Sequence, residues 1–233
     1  MEIGFKQYLV DTKLIPNDGY FCNYDYRNFI DEDEIFCTEV NIINKIKYNE
    51  DGIFDFSGAM IDIGSDIGIY SFILPFDYHY MFEGNRNKCI ISEFNMLLWN
   101  KELFFECHNV LLSDKHEKIQ YNGYISEYTK LYPGEKMENS YIRETNTLDE
   151  FNISKPITFI KIDVECMEYK VLKGAINTII KNDYPPILFE LWPVGENMDQ
   201  KTHDQLVNFL EDDLGYEILW EWGQFDTHLA IHK

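Results

Sequence analysis

Positive charge is what this chain has least of: 20 lysines and arginines face 41 aspartates and glutamates, a formal net charge of −21. Such a surface repels a phosphate backbone, which argues against nucleic acid as a partner, and it disfavours an anionic membrane for the same reason. No C-x-x-C pair occurs among the scattered cysteines Cys22, Cys37, Cys89, Cys107 and Cys166, so spacing supports neither a zinc knuckle nor a redox motif. No apolar run approaches the ~18 residues of a membrane span. The amino terminus lacks a basic segment followed by an apolar one, as a secretory leader would have. The expected setting is reducing and cytoplasmic. The six histidines show no metal spacing, and no internal repeat or low-complexity tract is present.

What is present is a globular composition, 45% hydrophobic over 233 residues, enough for a buried core. Residues 1–57 read as a lead-in, with a helix over 34–48 preceded by acids and a turn at Asn49–Gly52. From 58 to 233, strand and helix patterns alternate. Ala59–Ile63 reads as a buried strand, Ile67–Leu74 as a helix stopped by Pro75, and His79–Phe82 as a second strand. Asn87–Asn100 reads as a helix burying Ile90, Ile91, Phe94, Leu97 and Leu98. Phe104–Leu112 is a third strand, and residues 115–146, with Gly123, Pro133 and Gly134, a loop-rich insertion. Ile157–Val164 is a fourth strand. One helix follows, striped by Val171, Leu172, Ala175, Ile176, Ile179 and Ile180. Strand Ile187–Leu191, a helix carrying Gln205–Leu210 and closed by Gly215, and a hairpin of Tyr216–Trp220 with Thr227–His232 complete the pattern. The fold class is α/β, with a mostly parallel sheet and an antiparallel edge.

Two segments carry the chemistry. In Met60–Ser71, Gly64 and Gly68 sit where a strand turns into a helix, flanked by Asp62 and Asp66. Glycine lets the backbone swing tightly and approach a ligand, and open α/β sheets bind ligands at such strand ends. Glu83 ends the next strand, where an acid can take both ribose hydroxyls of a nucleoside. A dinucleotide site needs G-x-G-x-x-G around a pyrophosphate; two carboxylates suit a cationic ligand instead, such as S-adenosylmethionine. The second segment, Phe159–Glu165, ends in Asp163 and Glu165. With Glu190, these acids at neighbouring strand ends could hold Mg²⁺, or simply cap the following helices. His203 and His228 are candidate general bases, and Trp192-Pro193 a candidate platform for a sugar face.

These segments resemble the FkbM-type S-adenosylmethionine-dependent methyltransferases. The resemblance runs from about 58 to 191. It rests on Ile61–Ser71, Phe82-Glu83, Leu112–Asp114, Thr147–Phe151, Ile160–Ala175 and Pro186–Glu190. It implies the seven-stranded class I methyltransferase fold and O-methylation of small molecules, often sugars. It implies that Asp62, Gly64, Ser65 and Gly68 line the methionine end of the donor, that Asp66, Tyr70 and Asp163 also belong to the cofactor-binding set, and that Glu83 holds the ribose. Ser113 and Asp114 would lie beside the adenine. Asp163 and Glu165 would face the transferred methyl, with Glu190 and His203 as further catalytic candidates. Asp66, Gly84 and Cys166 stand where the family usually has asparagine, proline and glycine. A non-catalytic binding protein and a nicotinamide-dependent oxidoreductase are the competing readings; homo-oligomerisation is left open.

Overall fold

The computed structural model describes residues 33–99, 104–121, 141–195, 198–224 and 226–233. Seven strands form one sheet: β1 (Ala59–Ile63), β2 (Tyr78–Phe82), β3 (Phe104–His108), β7 (Ile157–Ile162), β8 (Ile187–Glu190), β9 (Tyr216–Gln224) and β10 (Thr227–His232). Their order is β3-β2-β1-β7-β8-β10-β9, and β10 runs antiparallel to both its neighbours. Three short strands, β4 (Leu111–Leu112), β5 (Lys118–Tyr121) and β6 (Tyr141–Asn146), form a small sheet ordered β4-β6-β5. The helices are α1 (Asp33–Tyr48), α2 (Ile69–Ile73), α3 (Arg86–Trp99), α4 (Glu168–Lys173), α5 (Ile176–Lys181) and α6 (Gln200–Asn208).

β1 is buried at all five positions because sheet neighbours flank it and helices cover both faces. Alternate residues serve different cores. Ile61 and Ile63 join Phe82, Ile162, Leu172 and Ile179 on one face. Met60 joins Met81, Phe159 and Leu188 on the other, with Ile42, Ile43 and Ile46 of α1. Phe76 stacks on Phe159 there, centroids 5.4 Å apart, and Phe54 meets Phe159 edge-on at 5.3 Å. From β1 the chain runs outward to β2 and β3, then returns to β7 and runs the other way. The point of reversal, between β1 and β7, is where an open α/β sheet leaves a crevice outside its strand ends.

The expected α/β sheet with an antiparallel terminal strand is observed, as are the helix over 34–48 and the closing hairpin. Four local readings need correction. Helix α3 is rotated: Ile90, Phe94 and Leu97 are 48–60% exposed, while Cys89, Ile91, Ser92, Asn95 and Met96 face inward. Polar contacts decide this, since Asn95 Nδ2 donates to the Ile67 carbonyl at 2.9 Å and Ser92 Oγ to Met81 Sδ at 3.2 Å. The strand expected over Phe104–Leu112 breaks after His108, and Leu111-Leu112 pairs with β6 instead. The expected insertion holds β5 and β6; Gly123, Pro133 and Gly134 lie outside the described residues, as does most of the lead-in. The single helix over Val171–Ile180 is two, α4 and α5, leaving Ile180 exposed. Gly174 sits at the break because a Cβ there would come 2.1 Å from the Ser113 carbonyl oxygen. Among the described residues, no helix is long and apolar enough to cross a membrane.

Candidate functional site

The crevice is built first by the turn after β1. Gly64 takes φ 69°, and a Cβ there would lie 1.7 Å from the Asp163 carbonyl oxygen, so only glycine fits. Its N–H donates to the Phe82 carbonyl at 2.9 Å, while Asp163 N–H donates to the Ile63 carbonyl at 3.0 Å. The ends of β1, β2 and β7 are thereby locked together. Gly68, at φ 82°, packs on Ser92 and opens α2. Asp62 is fully buried: Ser71 Oγ donates to it at 2.7 Å, and Lys161 Nζ lies 3.5 Å away. Burial pushes its carboxyl up, opposed by Lys161 and Ser71.

Beside this turn lies a cleft of about 220 Å³ whose walls include Gly64, Asp66, Glu83, Lys88, Asp163 and Glu165. Of the residues expected at the donor, these acids and Gly64 reach it. Asp62, Ser65, Gly68, Tyr70, Ser113 and Asp114 do not line it. Ser113 is fully buried, and Asp114 pairs with Lys173 at 3.4 Å. The apolar wall comes instead from Val110, Leu111, Leu112, Ile119, Tyr121 and Thr145, mostly on the small sheet. Val110–Leu112 belong to the stretch read as the third strand, and Ile119, Tyr121 and Thr145 to the insertion, which carries no readable motif.

Glu83 is anchored by the backbone. Its Oε2 accepts from Asp66 N–H at 3.0 Å and its Oε1 from Asn85 N–H at 2.7 Å. Each oxygen keeps a further lone pair for a ligand. Burial pushes this carboxyl up to about 7, against the pull of Lys88. Lys88 Nζ lies 2.6 Å from Asp66 Oδ1, so the charge that aspartate adds in place of asparagine is neutralised within the protein. At Gly84 a Cβ would come 2.2 Å from Leu111 Cδ2, so that side-chain end would have to turn aside.

The β7 and β8 ends carry the second group of acids. Burial, then Asp163, pushes Glu165 up to about 7. Burial likewise raises Glu168 to about 8, although its Oε1 accepts from Val164 N–H at 2.9 Å. Glu190 is pushed up furthest, by burial and then by Asp163, Glu168 and Glu165. Among the described residues, Glu168 Oε2 and Glu190 Oε2 have no hydrogen-bond partner. Lys161, on β7, is the counter-charge at the centre: its Nζ lies 3.4 Å from Asp163 and donates to the Gly64 carbonyl at 2.8 Å. Asp163 also borders a small second cavity with Tyr70, Lys161, Glu190 and Thr227, and so links it to the cleft. Glu165 and Cys166 have φ 55° and 70°, a left-handed pair where glycine would be unstrained at Cys166.

The expected metal set does not form. Among the described residues, Asp163, Glu165 and Glu190 do not bring their oxygens within 4.8 Å of one another, and Asp163 turns to Lys161 instead. His203 lies on α6 with Nδ1 3.3 Å from Asp204 and lines neither cavity. His228 lies within β10, where burial and then His203 lower its pKa. Trp192 packs against the core and lines neither cavity.

The methyltransferase FkbM domain matches residues 62–218, well over half of the chain, and the chain belongs to that family. No curated protein sequence matches it. Among solved structures it is similar to a precorrin-6y C5,15-methyltransferase from Geobacter metallireducens GS-15, at 13% identity and TM-score 0.48, covering 94% of this chain and 98% of that one. It is also similar to magnesium protoporphyrin IX methyltransferase from Synechocystis PCC 6803, at 10% identity and TM-score 0.46, covering 89% and 85%. A ribosomal protein L11 methylase from Lactobacillus delbrueckii subsp. bulgaricus gives 9% identity and TM-score 0.46, covering 84% and 77%. Likenesses this distant carry no functional weight.

Proposed function

From membership in the FkbM methyltransferase family, whose enzymes take their methyl group from S-adenosylmethionine, we infer an O-methyltransferase acting on a small hydroxylated acceptor, a sugar or glycoconjugate. One observation carries the donor assignment: a cleft at the sheet's reversal point, between Glu83 on one strand end and Asp163 on another. A ribose fits the remaining lone pairs of Glu83, and an adenine ring suits the apolar wall of Leu111, Leu112 and Tyr121. The buried acids of raised pKa suit a cation, which would draw them back toward their ionised forms. When bound, the donor supplies an electrophilic methyl on a sulfonium.

The protein must then align an acceptor oxygen and manage its proton. Alignment alone can contribute as much as ~7–11 kcal/mol when well realised. Glu165, held near 7 at the cleft wall, has a pKa matched to proton transfer at neutral pH. We assign it as general base. Asp163, shared by the two cavities, orients the acceptor, and Glu190 lines the smaller cavity beside it. Asp163 is held by its backbone bond to Ile63 and by Lys161 at 3.4 Å, so it needs little reorganisation in the reaction.

The test is incubation with methyl-labelled S-adenosylmethionine and a panel of nucleotide sugars and glycans. Label is expected on a hydroxyl of one acceptor. Glu165→Gln should lower kcat by about 10²-fold or more while donor affinity stays within a few fold. Label on carbon or nitrogen, or an unchanged kcat in the variant, would contradict the assignment.

A further inference from the structure

Away from the cleft, the fold gathers two cysteines that the sequence keeps 18 residues apart. Cys89 Sγ of α3 lies 2.9 Å from Cys107 Sγ of β3. Glu93 stands one helical turn after Cys89, on the same face of α3. The two sulfurs and a Glu93 carboxylate oxygen all lie within 4.8 Å of one another. Cys89 is buried, whereas Cys107 and Glu93 are half-buried, so the group can be reached from solvent on the Glu93 side.

We propose that Cys89, Cys107 and Glu93 form a zinc site clamping α3 to the β3 edge strand. Two thiolates and a carboxylate are a donor set for a borderline-soft divalent ion, and three protein ligands leave a fourth position for water. Two thiols that ionise on binding a metal converge with a carboxylate on one point, a charge that a cation compensates. A disulfide would need the sulfurs alone and would give the carboxylate no part. Zinc–sulfur bonds of about 2.3 Å in tetrahedral geometry put sulfurs roughly 3.8 Å apart. The pair must therefore part by about 1 Å, within reach of side-chain rotation. The absence of a C-x-x-C motif hid the site, because the ligands come from a helix and a strand that meet only in the folded sheet.

The experiment is zinc binding to the reduced full-length chain, measured by equilibrium dialysis with elemental analysis and by the spectrum of the cobalt-substituted protein. We expect one ion per chain, with thiolate-to-cobalt charge-transfer bands. Cys107→Ser should weaken binding by a hundredfold or more, and Glu93→Gln, at a half-buried position, by about tenfold. Bound zinc should also protect Cys89 and Cys107 from alkylation, a readout that needs no variant to fold. Reduced protein that binds no stoichiometric zinc would overturn the proposal. So would binding that survives in Cys89→Ser/Cys107→Ser, or cysteines alkylated equally fast with and without the ion.

Discussion

At the residue scale, the candidate site is a set of acids packed among a few specific neighbours. Lys161 is the clearest. It sits among Asp62, Asp163 and the Gly64 carbonyl, and Asp62 is completely buried. Lys161→Ala should cost about 3–5 kcal/mol, because Asp62 loses its counter-charge without regaining water. Chemical denaturation measures this, and a loss well under 1 kcal/mol would contradict the role. Cys166 predicts the opposite sign. Its φ of 70° strains any side chain, so Cys166→Gly should stabilise the protein by about 1 kcal/mol, less what glycine loses in unfolded-state entropy. A lower melting temperature in that variant would show that the thiol's contacts outweigh the strain. Gly64, Glu83 and Asp163 were legible in sequence, because a tight turn and acids at strand ends leave a local signature. Lys88, Tyr121 and Leu111 were not: they reach the cleft from elements whose relative placement no local pattern encodes.

At the element scale, strands were read more accurately than helix faces. β1 matches its expected span because an uninterrupted apolar run flanked by turn residues admits one reading. Helix α3 was misread because counting apolar residues ignored Ser92 and Asn95, whose hydrogen bonds lock them against β2 and the glycine turn. The α4–α5 break has the same origin, a backbone approach at Gly174 that hydrophobic periodicity does not record. Asp149, in the turn Leu148–Glu150, ties that region together. Its carboxylate accepts from Asn177 N–H at 3.0 Å, from Thr178 N–H at 2.7 Å and from both their side chains. Asp149→Ala should therefore cost about 1–3 kcal/mol and raise hydrogen exchange first in α5. Exchange that rises evenly along the chain would contradict a local clamp.

At the scale of the whole molecule, the fold concentrates acids at one end of the sheet and leaves them to be compensated. Glu83 and Glu165 are raised to about 7 and Glu168 to about 8, all above the 4.5 of an unfolded chain. The native protein therefore keeps protons that the unfolded chain has lost. Its stability from these groups is full below about 4.5 and falls as pH rises through 7 to 8. Melting temperatures taken between about pH 5.5 and 8.5 should decline, and less steeply in Glu168→Gln; a rise over that range would reverse the sign assigned here. A cationic donor should bind more tightly as the same acids ionise. The most direct measurement is calorimetric titration of S-adenosylmethionine into the wild-type chain and into Glu83→Ala. The account predicts saturable one-to-one binding that weakens by about tenfold or more in the variant. Equal affinity in the two proteins, or no binding to the wild type, would contradict it.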